Sequence, residues 1–125
     1  MSRARKALAG FWIFAGVMHF VIPRSYRAIM PPGSPVPPRE AVAISGAAEI
    51  AGGLALLDDR TLPAARWGLL VLLAAIFPAN IHMAVRPEEV PGLDLERIPR
   101  WLLWARLPLQ PLCALWVWRA TRPGA

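Results

Sequence analysis

Four apolar stretches fill most of this 125-residue chain, and each carries polar or ionisable residues where hydrocarbon would be expected. His19 sits in the first, Glu49 in the second, Asn80 and His82 in the third, Arg106 and Gln110 in the fourth. An ionisable side chain at the centre of a bilayer costs roughly 2.5 to 3.5 kcal/mol, so such groups turn toward a bundle interior and find partners there. Hydrophobic residues make up 56% of the chain and charged residues 18%, against about 25% charged in soluble domains. Crossing the hydrocarbon core takes about 17 to 25 residues. Four candidates reach or come within a residue of that length, at about residues 7–22, 40–57, 64–85 and 101–118. The expectation is an all-α, integral membrane four-helix bundle forming a single domain over residues 1–125.

The net charge of +6 does not point to nucleic acid, because thirteen of the fourteen basic residues lie in tails, loops or span ends and form no basic stripe. Flanking charges of this kind meet lipid phosphates and set orientation. Cys113 is the single cysteine, so a C-x-x-C thiol relay within the chain is excluded. Arg3, Arg5 and Lys6 before an apolar run imitate a secretory signal, but no small-x-small cleavage site follows, and Pro23 with Arg24 ends the run. The reading is an uncleaved first helix.

Pro23 stops the first span, since proline lacks the N–H and disfavours helix in the residue before it. Residues 24–30 read as a short interfacial turn with Tyr26 at head-group level, and the five prolines of residues 31–38 as a stiff, non-helical segment. The second span is rich in Ala, Gly and Ser. Its Ala48 and Gly52 form a small-xxx-small pair suited to close backbone approach, which predicts a central helix. Pro78 frees the Ala74 carbonyl and predicts a kink in the third span. Trp101 and Trp104 at one end, with Trp67, Trp116 and Trp118 at the other, fit aromatic belts, while Trp12 reads as simple apolar packing. Four crossings put both termini on one side. Arg3, Arg5, Lys6, Arg60, Arg66, Arg119 and Arg122 against Arg24, Arg27, Arg39, Arg86, Arg97 and Arg100 give a narrow positive-inside vote for cytoplasmic termini.

Counted from the surface that carries the two long loops, His19, Asn80, Arg106, Glu49 and Gln110 all fall within about 15 Å at 1.5 Å per residue. Arg106 and Gln110 share one helix face, as do Ser45 with Glu49 and Ala15 with His19. An ion pair between Glu49 and Arg106 is expected, each supplying what the other lacks. Asn80 and His82 lie on different faces, so Asn80 is assigned to the core and His82 to the interface. The candidate ligand-binding cluster is therefore His19, Glu49, Asn80, Arg106 and Gln110. No catalytic set and no metal site is assigned: a His19 and His82 axial pair for haem lacks any specific spacing, and no Gly-rich phosphate loop or nucleophile motif is present. The cofactor is not legible.

Gly16-Val-Met-His19-Phe20 followed by Pro23, then Ile29-Met-Pro-Pro32, Ser45-Gly-Ala-Ala-Glu49-Ile-Ala-Gly-Gly53, Phe77-Pro-Ala-Asn80-Ile81 and Arg106-Leu-Pro-Leu-Gln110 occur in this order. In that pattern the chain resembles the DoxX-like family of small four-helix bacterial membrane proteins. The resemblance implies a multi-pass protein of the bacterial inner membrane, and it suggests a quinone-linked role. Three functions are expected to compete. The first is a membrane subunit or scaffold stabilised by a polar intramembrane cluster, in contact with lipid and other membrane or redox subunits. In the second, a quinone-linked redox component holds a head group at Glu49, Arg106 and Gln110 while His19 moves a proton. The third, a small proton-coupled transporter using Glu49, is the weakest because no inverted repeat is evident.

Overall fold

In the computed structural model, residues 1–28, 36–90 and 95–123 are described. They form α1 (Arg3–Val21), α2 (Pro23–Ala28), α3 (Pro38–Ala55), α4 (Leu62–Val85), a 3-10 turn (Pro87–Glu89) and α5 (Arg100–Ala120). The proline-rich segment and the Ile29-Met-Pro-Pro32 motif fall largely outside the described residues. The long helices start earlier than the apolar runs because the first turn tolerates polar residues and proline. Ser2 caps α1 by accepting from the Arg5 amide at 3.1 Å, and Pro38 opens α3 with its φ already helical. Pro23 ends α1 and begins α2.

The four long helices pack up-down-up-down. Gly46 of α3 lies against Gly16 and His19 of α1 while Gly53 meets Ala9 and Ile13, so the two helices run antiparallel. Asn80 pairs with Gln110 and Trp67 with Trp118, which sets α5 antiparallel to α4. The Trp116 indole donates to the Ala4 carbonyl at 3.2 Å and brings both termini to one end. The α1–α3 seam is the tightest. A Cβ on Gly46 would come within 2.7 Å of the His19 Cβ, and one on Gly16 within 2.6 Å of the Gly46 carbonyl oxygen. Close approach thus runs along Gly16, Gly46 and Gly53. Of the expected Ala48 and Gly52 pair, Gly52 faces Leu69 of α4 while Ala48, one turn earlier on the same side of the helix, is exposed and meets no backbone.

At the end holding the termini, Leu8, Trp12, Leu56, Leu69, Leu73 and Val117 form the main apolar core. A smaller cluster of Met83, Ala84, Val90 and Leu103 closes the other end. The expected all-α four-helix arrangement is present, whereas four membrane-spanning segments are not supported. Among the described residues, α4 alone is both long and apolar enough to cross a membrane, with mean hydropathy 2.0. The other three long helices contain Arg3, Arg5 and Lys6, or Arg39, Glu40 and Glu49, or Arg100, Arg106 and Arg119. α4 runs through Pro78 as one helix.

Candidate functional site

Between the two apolar clusters lies a cavity of about 270 Å³, lined by Ala15, His19 and Tyr26, by Ala41, Val42, Ser45 and Glu49, by Ile76, Ala79, Asn80 and Met83, and by Arg106. Each long helix contributes a polar group because each carries one in the same half of the bundle, and the antiparallel arrangement brings those halves together. His19 and Glu49 are buried on the inner wall, whereas Arg106 is exposed and stands at the rim. Gln110 does not line this cavity. It supports it from behind, accepting from Asn80 Nδ2 at 2.8 Å and donating to the Leu73 carbonyl at 3.3 Å.

The expected Glu49 to Arg106 ion pair is not formed. Glu49 Oε2 instead lies 3.1 Å from His19 Nδ1, and Arg106 Nη1 lies 3.4 Å from the weak acceptor Met83 Sδ. The reason is helix order: α3 packs against α1 and α4, and α5 lies across the cavity. His19 Nδ1 is also 2.8 Å from the Ala15 carbonyl oxygen. A carbonyl only accepts, so Nδ1 carries the proton and aims it along the helix. Glu49 Oε2 is consequently close to His19 but without a well-aligned hydrogen bond among the described residues.

Two residues of this region were not legible in the sequence. Tyr26, expected at head-group level, folds back on α2 so that its ring stacks on His19 with centroids 3.9 Å apart. Burial first, and the Glu49 carboxylate second, push its hydroxyl above the ordinary tyrosine value. Met83 places a sulfur beside Arg106. His82 points elsewhere, 3.2 Å from Glu89 in the 3-10 turn, so it and His19 do not share a site. Among the described residues no group of three His, Cys, Asp or Glu side chains is placed to hold a metal ion.

The end of the bundle that holds the termini buries a charge of its own. Arg5 is only 2% exposed. Its Nε donates to the Leu56 carbonyl at 2.6 Å and its Nη1 to Asp59 at 2.7 Å, so a residue read as a flanking charge closes the C-terminus of α3. The signal was present, since Arg5, Leu8, Trp12, Gly16 and His19 recur at helical spacing on one face.

A family model described as a domain of unknown function, DUF8561, matches residues 8–121. The chain belongs to this family. DUF8561 membership overturns the expected DoxX-like assignment, and the physical reason for the misreading is plain. Short motifs of Gly, Ala and Pro around one polar residue answer general demands of close helix packing, which unrelated four-helix chains meet alike. No curated protein and no solved structure matches the DUF8561 chain.

Proposed function

We propose that this protein is an integral membrane four-helix subunit whose polar cavity binds the head group of a small amphipathic molecule. One observation carries the reading: Glu49 and Arg106 line a single cavity from α3 and α5 with space between them, where a structural knot would have closed them into a pair. Glu49 Oε2 calls for a donor in the interior, and Arg106 offers donors at the rim. Apolar walls from Val42, Ile76 and Ala79 suit the hydrocarbon portion. A quinol, with a hydroxyl donor and oxygen acceptors on a lipophilic body, is a candidate ligand of that chemistry.

Membrane insertion is supported by the outward faces. Phe14, Ile44, Val71, Trp101, Leu109 and Leu112 are all more than half exposed, a pattern costly in water at 25 cal/mol per Å², as an approximate figure. Only 22% of the apolar window of α4 is buried, unlike the core helix of a soluble protein. Both termini at one end, with the basic-residue bias, favour a cytoplasmic side for them.

The test is purification in mild detergent from alkali-washed membranes, followed by mass spectrometry of bound small molecules and an absorbance spectrum. Wild type is compared with Arg106→Ala and Glu49→Gln. A molecule retained by wild type and lost by both folded variants supports the reading. Recovery of the protein in the alkaline wash overturns membrane insertion, and an empty wild type overturns the ligand.

A further inference from the structure

At the end of the bundle that holds the termini, a second cavity of about 460 Å³ is lined by Arg5, Asp59, Leu62, Arg66, Trp67 and Thr121 among others. Nothing in the polar cavity explains it. Arg5 is almost fully buried, and while its Nε and Nη1 are engaged, Nη2 meets no acceptor among the described residues. Arg66 Nε is likewise buried without one. A buried, charged donor left unmatched costs more than an exposed one, and both side chains belong to the lining of one cavity, so the pair calls for an acceptor there.

The setting selects the acceptor's chemistry. The Arg66 guanidinium lies over the Trp118 ring, 3.6 Å from its centroid, and Trp118 packs edge-on against Trp67 at 5.9 Å. Stacking fixes the guanidinium plane and presents its N–H edge, the geometry that grips phosphate oxygens in pairs. Asp59 is the opposing charge in the cavity, but its side chain is 88% exposed and it neutralises one of the two guanidinium groups. An excess positive charge remains. Trp67 and Trp118 are partly exposed aromatic rings of the kind that settle at head-group level.

We infer that Arg5 and Arg66 form a phosphate-binding site, filled in the membrane by the phosphate of an anionic lipid head group. The phosphate chemistry stands on this cavity alone; only the lipid as its source rests on the membrane reading above. The site is separate from the polar cavity, so the two proposals fail independently.

The experiment is thermal unfolding of the full chain in maltoside micelles, with added phosphatidylglycerol, added phosphatidylcholine, or inorganic phosphate. Phosphatidylglycerol is expected to raise the midpoint of wild type in a concentration-dependent way. Arg66→Gln should weaken the apparent affinity by about tenfold or more. Asp59→Asn should strengthen it, because it frees Arg5 Nη1 and removes the competing carboxylate. Arg86→Gln, exposed at the other end of the bundle and outside both cavities, should leave the shift unchanged. A shift with inorganic phosphate that Arg66→Gln abolishes supports the site with a soluble phosphate as its source. No shift with either probe, or equal shifts in wild type and Arg66→Gln, overturns the proposal; the opposite sign of the Asp59→Asn effect guards against a variant that merely folds poorly.

Discussion

His19 Nδ1 sits 3.1 Å from Glu49 Oε2 and 2.8 Å from the Ala15 carbonyl, so one ring nitrogen stands between a helix backbone and a buried carboxylate. That relationship ties α1 to α3 at the tightest seam in the bundle. It also leaves Arg106 out of the pair.

The energetic consequence is measurable by double-mutant cycles in thermal or denaturant unfolding. His19→Ala with Glu49→Gln should show a coupling of about 0.5 kcal/mol or more, as contacting residues do. Glu49→Gln with Arg106→Leu, measured without ligand, should be additive within about 0.5 kcal/mol. A large coupling for the second pair would restore the structural knot and remove the cavity reading.

The glycines give a contrast within one fold. Gly46→Ala drives a Cβ to 2.7 Å from His19 Cβ and 3.1 Å from the Gly16 carbonyl, and helix backbones must separate to admit it. A loss of about 1 to 3 kcal/mol is expected from such overpacking. Gly68→Ala, with no atom within 4 Å of the new Cβ, should instead stabilise by about 0.5 to 1 kcal/mol through helix propensity. Unfolding midpoints of the two variants should move in opposite directions.

Arg5 and Asp59 form an unequal pair. Arg5→Ala removes the donor to the Leu56 carbonyl from a buried place and should cost about 2 to 4 kcal/mol. Asp59→Asn touches a side chain that is 88% exposed and should change stability by less than about 1 kcal/mol. Equal losses would mean that the ion pair, rather than the backbone contact, holds the α3 terminus.

Tyr26 is the single tyrosine, so tyrosinate absorbance reports it alone. Its value is raised, chiefly by burial and secondly by Glu49. Because the folded group resists ionisation, its contribution to stability is present below the ordinary tyrosine value and is lost as pH rises through the folded one. Glu49→Gln should lower the midpoint only part of the way, since burial remains. A full return to the ordinary value would mean the Glu49 charge, not burial, dominates.

Gln110→Leu should free Asn80 Nδ2 from its 2.8 Å partner and destabilise by about 1 to 3 kcal/mol. The Asn80→Leu, Gln110→Leu double variant should recover part of that loss in the same unfolding assay.

The helices were legible because their signals are local. Ser2, Pro23 and Pro38 mark ends that cap and φ chemistry dictate, and the apolar runs lie within a few residues of the observed limits. That His19, Glu49, Asn80 and Arg106 fall in one half of the bundle was legible too, since rise per residue and alternating direction suffice to compute it. Tyr26 was missed because only the fold-back of α2 brings it under His19. Arg5 was missed because a charge near an N-terminus reads as solvated until a neighbouring helix end is known to need its donors.

The sequence by itself determined four helices, their breaks, and a layer of polar groups at one level, all of which follow from periodicity, proline and length. Only the tertiary structure decided that Glu49 lies beside His19 rather than Arg106, that Gly46 and Gly53 rather than Ala48 meet a backbone, and that Arg5 is buried. Those outcomes depend on which helices are neighbours and how each is rotated about its axis, and rotation is set by close packing summed over all contacts rather than by any local run of residues.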